Sequence, residues 1–510
     1  MTVKVTAHAR YTISQIDPRL YGSFIEHLGR AVYTGIYEPG HPTANAAGMR
    51  GDVMDLVREL DVPIVRYPGG NFVSAFNWED GVGPQAQRPA RLDLAWHTTE
   101  TNEVGVHEFA DWCTAVGAEM MYAVNLGSRG LDEARHFLEY ANHPGGSYWS
   151  DLRIQNGRKE PFGIKLWCLG NEMDGPWQIG HKTADEYGRL AHETAKAMRA
   201  FDKSLELVVC GSSNAKMPTY PQWEATVLDH TYNEVDYISL HMYLNNRAGD
   251  TASYLAENIK LDRYISSIAG VIDFIKAKKR SDKQVHISFD EWNVWYHSDE
   301  QDRKILEGAE GWPATPPLLE DIYNFEDVLQ VGLILNTFIR RSDVVKIACL
   351  AQLVNVIAPI MTTPGGAAWR QTIFYPYLFA SRYGRGVALD LKIECPTYNV
   401  AELGEVSCLD VAAVHDTKAG QLTLFIVNRS AAAHEVEVDL EGFAAPFAIL
   451  DHQVMVGYGL QAVNTAAEPL KVTPKSGVGA RIAGGCLTLN ADPLSYRMIR
   501  LQASHDIERT

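Results

Sequence analysis

The sequence predicts an α/β protein in which a (β/α)8 TIM barrel is followed by an antiparallel β-sandwich. Three observations support this prediction. The chain of 510 residues is longer than one ordinary core requires. Up to about residue 375, short apolar runs alternate with amphipathic stretches, which is the pattern of βα units around a parallel sheet. Beyond that point, polar and apolar residues alternate in short runs, as they do in the strands of a sandwich.

Eight apolar runs are candidates for the barrel strands. Each is six to nine residues long and is separated from the next by a longer amphipathic stretch. Eight such units predict a closed barrel with its functional face at the carboxyl ends of the strands. The predicted strands are 20–26, 62–67, 119–125, 164–170, 205–211, 236–243, 285–291 and 344–352.

Helix signals lie between these runs. After the fourth run, Thr183 and Glu186 have the spacing of a capping box, and apolar or small residues then recur at helical spacing as far as Met198. Before the third run, an amphipathic stretch ends at Gly117, which suits the left-handed cap of a helix. These signals predict the helices that a parallel barrel needs between its strands.

The predicted domains follow from these patterns. We expect residues 18–380 to form the barrel and residues 381–510 to form the sandwich, whose clearest strands are 421–428, 434–443 and 486–502. Residues 1–17 alternate polar and apolar residues like a strand, so we expect them to join the sandwich. They also lack the apolar core of a signal peptide, which favours a cytoplasmic location.

Composition and charge exclude several classes of function. A formal net charge of −17 gives no basic surface for nucleic acid or for an anionic membrane, and no segment is apolar enough to cross a bilayer. The seven cysteines are scattered and never in CxxC spacing, which argues against a disulfide framework and against a thiolate metal site. A neutral substrate fits this chain best.

Two glutamates follow apolar runs in the same way. Glu172 comes after the fourth run, in "WCLGNEMDG", and Glu291 ends the seventh run, in "HISFDEWNVWY". At the carboxyl ends of two barrel strands, both side chains would face one cleft. Glycoside hydrolysis needs two carboxyl groups of this kind, one to protonate the leaving oxygen and one to attack or to activate water. Each glutamate alone could be an ordinary loop residue, but the matched pair predicts a glycoside hydrolase.

Other polar and aromatic residues follow the remaining strands. Polar groups at the ends of most of the predicted strands are difficult to explain by packing. Gly69 and Gly70 would let the backbone approach a ligand, or would simply form a tight turn. Four tryptophans at such positions could carry the apolar face of a sugar or could belong to the core. The polar candidates are Glu26, Arg66, Asn71, His241, Tyr243 and Gln352, and the tryptophans are Trp96, Trp177, Trp292 and Trp295.

Competing catalytic motifs are absent from the sequence. It contains no HExxH, since "HEFAD" and "HETAK" both lack the second histidine, and it contains no GxSxG, P-loop or GxGxxG. The histidines are dispersed. A metal hydrolase is therefore not predicted.

Four long segments resemble the α-L-arabinofuranosidases of glycoside hydrolase family 51. "CLGNEMDGPWQIGHK" is similar to the acid/base segment of that family and "SFDEWNVWY" to its nucleophile segment, while "FIEHLGRAVYTGIYEPGHP" and "RLDLAWHTTETNEVGVHEFADWCTAVGAE" resemble its first loop and the stretch before its third strand. The resemblance runs over nearly the whole chain. It implies a retaining enzyme without cofactor, with a jelly-roll sandwich, that usually assembles as a homo-hexamer and acts on arabinofuranose-containing oligosaccharides.

The resemblance also implies roles for most of the candidate residues. Glu172 would be the general acid/base and Glu291 the nucleophile. The remaining roles concern the sugar and the support of the two glutamates. Asn171 would bind the 2-OH, Glu26, Asn71 and Gln352 would bind the other hydroxyls, Tyr243 and Arg66 would support Glu291, and Trp96 and Trp295 would border the pocket and the leaving-group side. His241, at the end of the sixth predicted strand, is a further candidate for substrate binding by its position.

Two departures from the family pattern bear on the substrate. The sequence has Ala75 and Phe76 where Gly-Tyr is expected, and Leu244 where a second aromatic residue is frequent. We expect these changes to affect the leaving-group side. The predicted function is an exo-acting α-L-arabinofuranosidase on oligosaccharides from arabinan or arabinoxylan. The alternatives are the same mechanism on a β-D-xyloside or a galactofuranoside, and a non-catalytic sugar-binding protein.

Overall fold

The computed structural model describes residues 2–308 and 311–504. Residue 1, residues 309–310 and residues 505–510, which belong to the predicted N-terminal, barrel and sandwich segments respectively, lie outside the described residues. The strands, in chain order, are β1 Thr2–His8, β2 Thr12–Gln15, β3 Gly22–Phe24, β4 Ile64–Tyr67, β5 Arg91–Asp93, β6 Thr98–Glu100, β7 Glu119–Val124, β8 Leu166–Leu169, β9 Glu206–Cys210, β10 Tyr237–Leu244, β11 His286–Val294, β12 Val345–Ala351, β13 Ile360–Thr362, β14 Ala368–Arg370, β15 Val387–Leu389, β16 Lys392–Glu394, β17 Thr397–Val400, β18 Gly404–Ser407, β19 Leu409–Asp416, β20 Gln421–Asn428, β21 His434–Gly442, β22 Phe447–Met455, β23 Lys475–Ser476, β24 Arg481–Ala483, β25 Cys486–Ala491 and β26 Ser495–Ala503.

Eight of these strands close a parallel barrel. Their order around it is β3, β4, β7, β8, β9, β10, β11 and β12, and β12 pairs with β3 to complete the circle. All eight predicted strands are present, so the predicted (β/α)8 barrel is confirmed. The first is shorter than predicted, because Asp17 and Pro18 begin a turn of 3-10 helix over Pro18–Tyr21. The seventh is longer, because β11 continues to Val294 and Glu291 therefore lies within the strand rather than at its end.

Helices cover the outside of the barrel. The predicted capping box at Thr183 and Glu186 begins α5, and Gly117 ends α2 in the left-handed conformation with φ 82°. No helix among residues 2–308 and 311–504 is long and apolar enough to cross a membrane. The helices are α1 Gly51–Leu60, α2 Val106–Val116, α3 Leu131–Asn142, α4 Tyr148–Gln155, α5 Ala184–Phe201, α6 Gln222–Thr231, α7 Thr251–Tyr254, α8 Asn258–Lys279, α9 Asp299–Gly308, α10 Phe325–Arg340 and α11 Phe374–Tyr383.

Two sheets form the β-sandwich after the barrel. One has the order β16-β1-β21-β25-β24 and the other has the order β2-β15-β19-β20-β26-β22-β23. All pairs within these two sheets are antiparallel except β1 with β21, so the sandwich is mostly rather than entirely antiparallel. The run 486–502 forms two strands, β25 and β26, in different sheets, because the chain turns at Asp492 and Pro493. Both sheets bury apolar side chains between them, among them Val3, Val5, Leu424, Val436 and Leu487.

One buried helix joins the barrel to the sandwich. α10 is buried along almost its whole length and packs against β11 on one side and β19 on the other. At this junction Asp410 accepts hydrogen bonds from Asn336 at 2.9 Å, from Arg340 at 2.7 Å and from Arg429 at 3.0 Å. Burial opposes ionisation of Asp410, but the two arginines lower its pKa to about 2.

Candidate active site

Glu172 lies in the turn that follows β8. β8 ends at Leu169, and Gly170 then reverses the chain with φ 92°, a conformation that glycine adopts without a steric cost. Glu172 itself has φ 43°, which is strained for a residue with a side chain. Such strain is retained where the surroundings fix the backbone, and it often marks a functional position. Glu172 thus lies just beyond the fourth strand, as predicted, in a tight turn whose backbone is fixed by its surroundings.

Glu291 lies within β11, next to a second buried carboxylate. The register of β11 shifts against both β10 and β12 near this point, which is the signature of a β-bulge. Alternation along a regular strand would place Asp290 and Glu291 on opposite faces. With the bulge, both side chains turn inward, and both contact Arg66 and His241.

The two candidate glutamates face each other across the mouth of the barrel. A carboxylate oxygen of Glu172, one of Glu291 and a ring nitrogen of His241 all lie within 4.8 Å of one another. This separation is well below the 6.5–9.5 Å or so that leaves room for a water molecule between two carboxyl groups and a sugar. The two side chains can therefore act on the same sugar carbon from a single pocket.

Arg66 and Tyr243 donate hydrogen bonds to Glu291. Arg66, which is 1% exposed, donates one hydrogen bond to Glu291 Oε1 at 2.7 Å and another to Asn171 Oδ1 at 2.6 Å. Tyr243 donates from its hydroxyl to Glu291 Oε2 at 2.8 Å. Burial and the charge of Glu172 raise the pKa of Glu291, while His241, Arg66 and Tyr243 act in the opposite direction.

His241 lies between three carboxylates. Its Nδ1 is 2.8 Å from Glu172 Oε1 and 3.6 Å from Glu291 Oε2, and its Nε2 is 2.9 Å from Asp290 Oδ1. Burial alone would lower the pKa of His241, but the charges of Glu291, Asp290 and Glu172 outweigh it and raise the pKa to about 10. Both ring nitrogens therefore donate hydrogen bonds at neutral pH. Glu172, His241 and Glu291 are close enough to surround a cation, which His241 could ligate only after losing the proton on the ring nitrogen concerned.

Glu26 forms a second cluster beside the first. Its Oε1 accepts from the backbone N–H of Phe72 and from Trp96 Nε1, both at 2.9 Å, and Gln352 Nε2 donates to its Oε2 at 3.3 Å. Burial, with smaller contributions from Glu291 and Asp93, raises the pKa of Glu26 to about 8. Gln352 also accepts from the backbone N–H of Glu26 at 2.9 Å, so the two residues bind each other directly.

The Gly69-Gly70 pair makes room for Glu26. A Cβ on Gly70 would meet Glu26 Oε2 at 2.5 Å, and a Cβ on Gly69 would meet Glu26 Cγ at 2.9 Å. Neither residue has the positive φ that only glycine adopts readily. The doublet therefore lets a side chain, rather than a ligand, approach the backbone.

Asn71 and Trp295 are among the candidate residues that have a buried polar atom without a hydrogen-bond partner among the described residues. Asn71 Oδ1 and Trp295 Nε1 make no hydrogen bond there, which is unusual for buried polar atoms. Trp295 packs edge-on against Tyr243, with ring centroids 5.3 Å apart. Gln178 Nε2 lies 3.5 Å from the backbone oxygen of Asn71, and Gln178 Oε1 lies 3.5 Å from Asn171 Nδ2. Asn71 and Trp295 can thus offer an acceptor and a donor to a bound ligand.

The other tryptophans divide between the site and the core. Trp96 lies on the hairpin turn between β5 and β6, not after a barrel strand, and reaches Glu26 from there. Trp177 is 48% exposed and donates from Nε1 to Glu172 Oε2 at 2.8 Å. Trp292 is buried against Phe338 of α10, so of the two alternatives for this residue the structure favours a place in the core.

The departures from the family pattern either line a side cavity or are buried. Ala75 and Phe76 line a side cavity of about 110 Å³ together with Phe72, and Phe76 also packs against Phe72, with ring centroids 4.9 Å apart. Leu244 is buried at the end of β10. None of the three has a hydrogen bond or ring contact with Glu172 or Trp177 among the described residues.

Sequence reasoning missed three residues of the site. Asp290 was hidden by the bulge, since alternation predicts that it faces away from Glu291. Gln178 and Asp174 follow Glu172 in a turn without periodicity, where no pattern distinguishes buried from exposed side chains. Asp174 is buried and accepts from Ser213, beyond β9. The one available signal for Asp174 and Gln178 was their place in the same 15-residue segment as Glu172, "CLGNEMDGPWQIGHK".

Two family models match this chain. The model described as the α-L-arabinofuranosidase 1 domain matches residues 56–263, and the model described as the α-L-arabinofuranosidase C-terminal domain matches residues 290–495. Together they cover most of the barrel and the sandwich.

Similar proteins carry related names. A protein of Halalkalibacterium halodurans named intracellular exo-α-(1→5)-L-arabinofuranosidase is 57% identical over 502 residues, covering 98% of this chain and 99% of that protein. A Bifidobacterium longum protein named exo-α-(1→6)-L-arabinofuranosidase is 47% identical, covering 96% of each. The solved structure of a family 51 α-L-arabinofuranosidase from Bifidobacterium longum is 43% identical, with a TM-score of 0.94 over 98% of this chain and 99% of that one.

Proposed function

This chain belongs to the α-L-arabinofuranosidases of glycoside hydrolase family 51, and we propose that it releases terminal non-reducing α-L-arabinofuranosyl residues by a retaining double displacement. The observation that carries the mechanism is the short distance between Glu172 and Glu291, whose carboxylate oxygens lie within 4.8 Å. A retaining mechanism needs two carboxyl groups about 5–5.5 Å apart, whereas an inverting one needs a wider separation.

In the first step, Glu291 attacks the anomeric carbon of the arabinofuranoside. The bond to the leaving oxygen breaks, and Glu172 gives that oxygen its proton. The product is an ester between Glu291 and the sugar. In the second step, Glu172 takes a proton from water, the water oxygen attacks the same carbon, and the Glu291 carboxylate leaves.

The net charge of the groups around the pair does not change during this cycle. Arg66 and His241 carry two positive charges. Although burial opposes it, Arg66, His241 and Ser239 hold the pKa of Asp290 below its ordinary value, so Asp290 is ionised. Before the reaction Glu291 is the second anion and Glu172 is protonated. In the ester Glu291 is neutral and Glu172 is ionised, so the buried site gains no net charge, which would be costly to desolvate.

The sugar is held by the groups that surround the pair. Asn171 Oδ1 is occupied by Arg66, which leaves Nδ2 to donate to the 2-OH next to the anomeric carbon. Asn71 Oδ1, which has no partner among the described residues, would accept from another hydroxyl. Glu26 and Gln352 would bind the remaining hydroxyl groups, and Trp96 and Trp295 would border the ring. Trp177, exposed beside Glu172, lies on the side of the leaving group.

Arabinan- or arabinoxylan-derived oligosaccharides are the proposed substrates, with α-1,5-linked arabinan fragments first. The 57% identical relative carries the (1→5) name, but a 47% identical relative carries the (1→6) name, so the linkage must be measured. Release of arabinose from α-1,5- and α-1,6-linked arabinobiose, followed side by side, would decide between them. Because several relatives are named intracellular, we propose that this protein acts in the cytoplasm.

The test of the activity uses two chromogenic substrates. Wild-type enzyme should release nitrophenol rapidly from 4-nitrophenyl α-L-arabinofuranoside and slowly from 4-nitrophenyl β-D-xyloside, and Glu291→Ala should lose on the order of 10⁴-fold in kcat on the arabinoside. Faster turnover of the xyloside or of a galactofuranoside would assign a different glycone. Saturable binding of arabinose oligosaccharides in a calorimetric titration, without product, would instead identify a non-catalytic binding protein.

A homo-hexamer with a jelly-roll sandwich is the assembly that we propose from the family resemblance. Light scattering after size-exclusion chromatography should give six times the mass of the 56.7 kDa chain. A monomer mass would remove this proposal and would leave the reaction untouched, since the residues of the candidate site all come from one chain.

A further inference from the structure

Asp174 is a buried carboxyl group that the proposed reaction does not use. It lies two residues after Glu172, in the turn between β8 and α5, and is 7% exposed. The backbone N–H of Ser213, which follows β9, donates to both of its oxygens at 3.2 and 3.0 Å, and the Ser213 hydroxyl donates to Oδ2 at 3.2 Å. These bonds anchor the turn that carries Glu172 to the neighbouring loop of the barrel mouth.

The anchored turn also carries Trp177. Gly175 donates from its backbone N–H to the Glu172 carbonyl at 2.9 Å, which closes the turn. A Cβ on Gly175 would meet the Trp177 ring at 2.5 Å, so the indole lies directly on the backbone next to Asp174. Trp177 in turn donates to Glu172 Oε2. Asp174 therefore fixes the backbone that carries both Glu172 and Trp177, which donates a hydrogen bond to Glu172.

The charge of Asp174 acts on the same group. Burial raises the pKa of Asp174 to about 7, Glu172 adds to this rise, and the Ser213 donors and His241 oppose it. The charges of Glu172, in the same turn, and of His241, in β10, both act on Asp174, and Glu291 faces Glu172 from β11. Tyr264 of α8 and Glu224 of α6 are further titratable groups nearby. Tyr264 donates its hydroxyl to the backbone oxygen of Ser212, and Glu224 accepts from the backbone N–H of Ser212 at 2.8 Å.

We propose that Asp174 is a positioning residue for the acid/base, because its carboxylate both anchors the turn of Glu172 to Ser213 and, as a neighbouring negative charge, favours the protonated form of Glu172. This inference rests on the proposed function of Glu172. The first step requires a proton on Glu172, and a like charge nearby disfavours its loss. The effect matters most for a sugar leaving group, which needs protonation, and least for nitrophenolate, which leaves without it.

The test compares Asp174→Asn with wild type on two substrates. The variant keeps the size of the side chain and an oxygen for Ser213, but it loses the charge. The comparison is made at pH 8, where Asp174, with a pKa of about 7, is mostly ionised. On α-1,5-linked arabinobiose at pH 8 we expect kcat/KM to fall about tenfold, and the alkaline limb of its pH profile to move to lower pH. On 4-nitrophenyl α-L-arabinofuranoside at pH 8 we expect a fall of less than about threefold. Asp185→Asn, at a side chain that is 83% exposed, is the matched control and should leave both profiles unchanged.

Two outcomes would overturn the inference. One is an unchanged profile on both substrates, and the other is an equal loss on both with no movement of the alkaline limb, which would mean a structural role only. If Asp174→Asn does not fold, Ser213→Ala removes one donor and should move the limb in the same direction by less; an unmoved limb in that folded variant would overturn the inference as well. Failure of the proposed function is distinguishable, because wild type itself would then not turn over either arabinofuranoside.

Discussion

His241 Nδ1 lies 2.8 Å from Glu172 Oε1, and the same nitrogen lies 3.6 Å from Glu291 Oε2. One protonated imidazole thus faces both glutamates of the reaction. Since its charge lowers the pKa of Glu291, its removal should leave Glu291 protonated up to a higher pH. In His241→Ala we expect the acidic limb of kcat/KM to move up by about one pH unit or more. A pH profile from pH 4 to 9 on 4-nitrophenyl α-L-arabinofuranoside measures this.

A control separates this effect from general damage to the protein. His230→Asn changes a partly exposed histidine in α6 that pairs with Asp185. Its profile should match that of wild type. An acidic limb that stays in place in His241→Ala, with activity lowered equally at every pH, would contradict the electrostatic role.

Removal of Glu172 should separate the two steps. Nitrophenolate leaves without an acid, so Glu172→Ala should still form the ester from 4-nitrophenyl α-L-arabinofuranoside, whereas the loss of the base slows hydrolysis of the ester by about 10²–10⁴-fold. We therefore expect a burst of nitrophenol equal to the enzyme concentration in stopped-flow measurements. Azide should accelerate turnover and yield an arabinofuranosyl azide of retained configuration. A variant without a burst and without rescue by azide would place the acid/base elsewhere.

The barrel could be predicted from the sequence because its signals are local. Each of its strands is an apolar run bounded by turns. The predicted strand 236–243 differs from β10 by one residue at each end, and the predicted strand 119–125 is one residue longer than β7. The position of Glu172 was accessible for the same reason, since Gly170 marks the end of β8. The assumption of regular alternation failed at the bulge in β11, and Asp290 was therefore not predicted as a site residue. The end of this strand was also wrong, because β11 continues past Glu291 to Val294.

Long-range pairing was less accessible to sequence reasoning. β1 pairs in parallel with β21, more than 400 residues away, and nothing in an alternating pattern indicates the direction of its partner. Likewise, Trp292 lies within β11 and Trp295 directly follows it, yet Trp292 packs on α10 and Trp295 packs on Tyr243. Periodicity predicts which residues share a face, but not which neighbour that face meets.

Glu26 should tolerate glutamine better than alanine. Because burial raises its pKa to about 8, Glu26 is mostly protonated at pH 7, and glutamine has the same charge and keeps an acceptor for Phe72 and Trp96. We expect kcat/KM at pH 7 to fall about tenfold or less in Glu26→Gln, and on the order of 100-fold in Glu26→Ala, which leaves those donors unpaired.

The same shift predicts how stability depends on pH. The folded state binds the Glu26 proton more tightly than the unfolded state, so its burial becomes increasingly unfavourable as pH rises from about 4.5 to about 8. Melting temperatures of wild type and Glu26→Gln should therefore differ more at pH 8.5 than at pH 5, in favour of the variant. An equal difference at both values would show that Glu26 is ionised throughout that range.

Asp410 should matter for stability and not for catalysis. Asp410→Asn leaves Arg340 and Arg429 without their buried anion at the junction of barrel and sandwich, which should cost about 3–5 kcal/mol. Because the folded pKa is depressed to about 2, the contribution of Asp410 is present above the ordinary value near 3.8 and is lost as pH falls through about 2. Thermal unfolding between pH 7 and pH 2 measures the loss, with Asp343→Asn, at a side chain that is 49% exposed, as the control. An Asp410→Asn variant as stable as wild type would contradict this account.

The configuration of the first product tests the central claim most directly. Proton NMR of the hydrolysis of 4-nitrophenyl α-L-arabinofuranoside, recorded within the first minutes, distinguishes the anomers before they equilibrate in water. Carboxylate oxygens within 4.8 Å in Glu172 and Glu291 predict that α-L-arabinofuranose appears first, because two displacements at one carbon restore its configuration. Initial formation of the β anomer would mean a single displacement by water, and would contradict the assignment of Glu291 as the nucleophile.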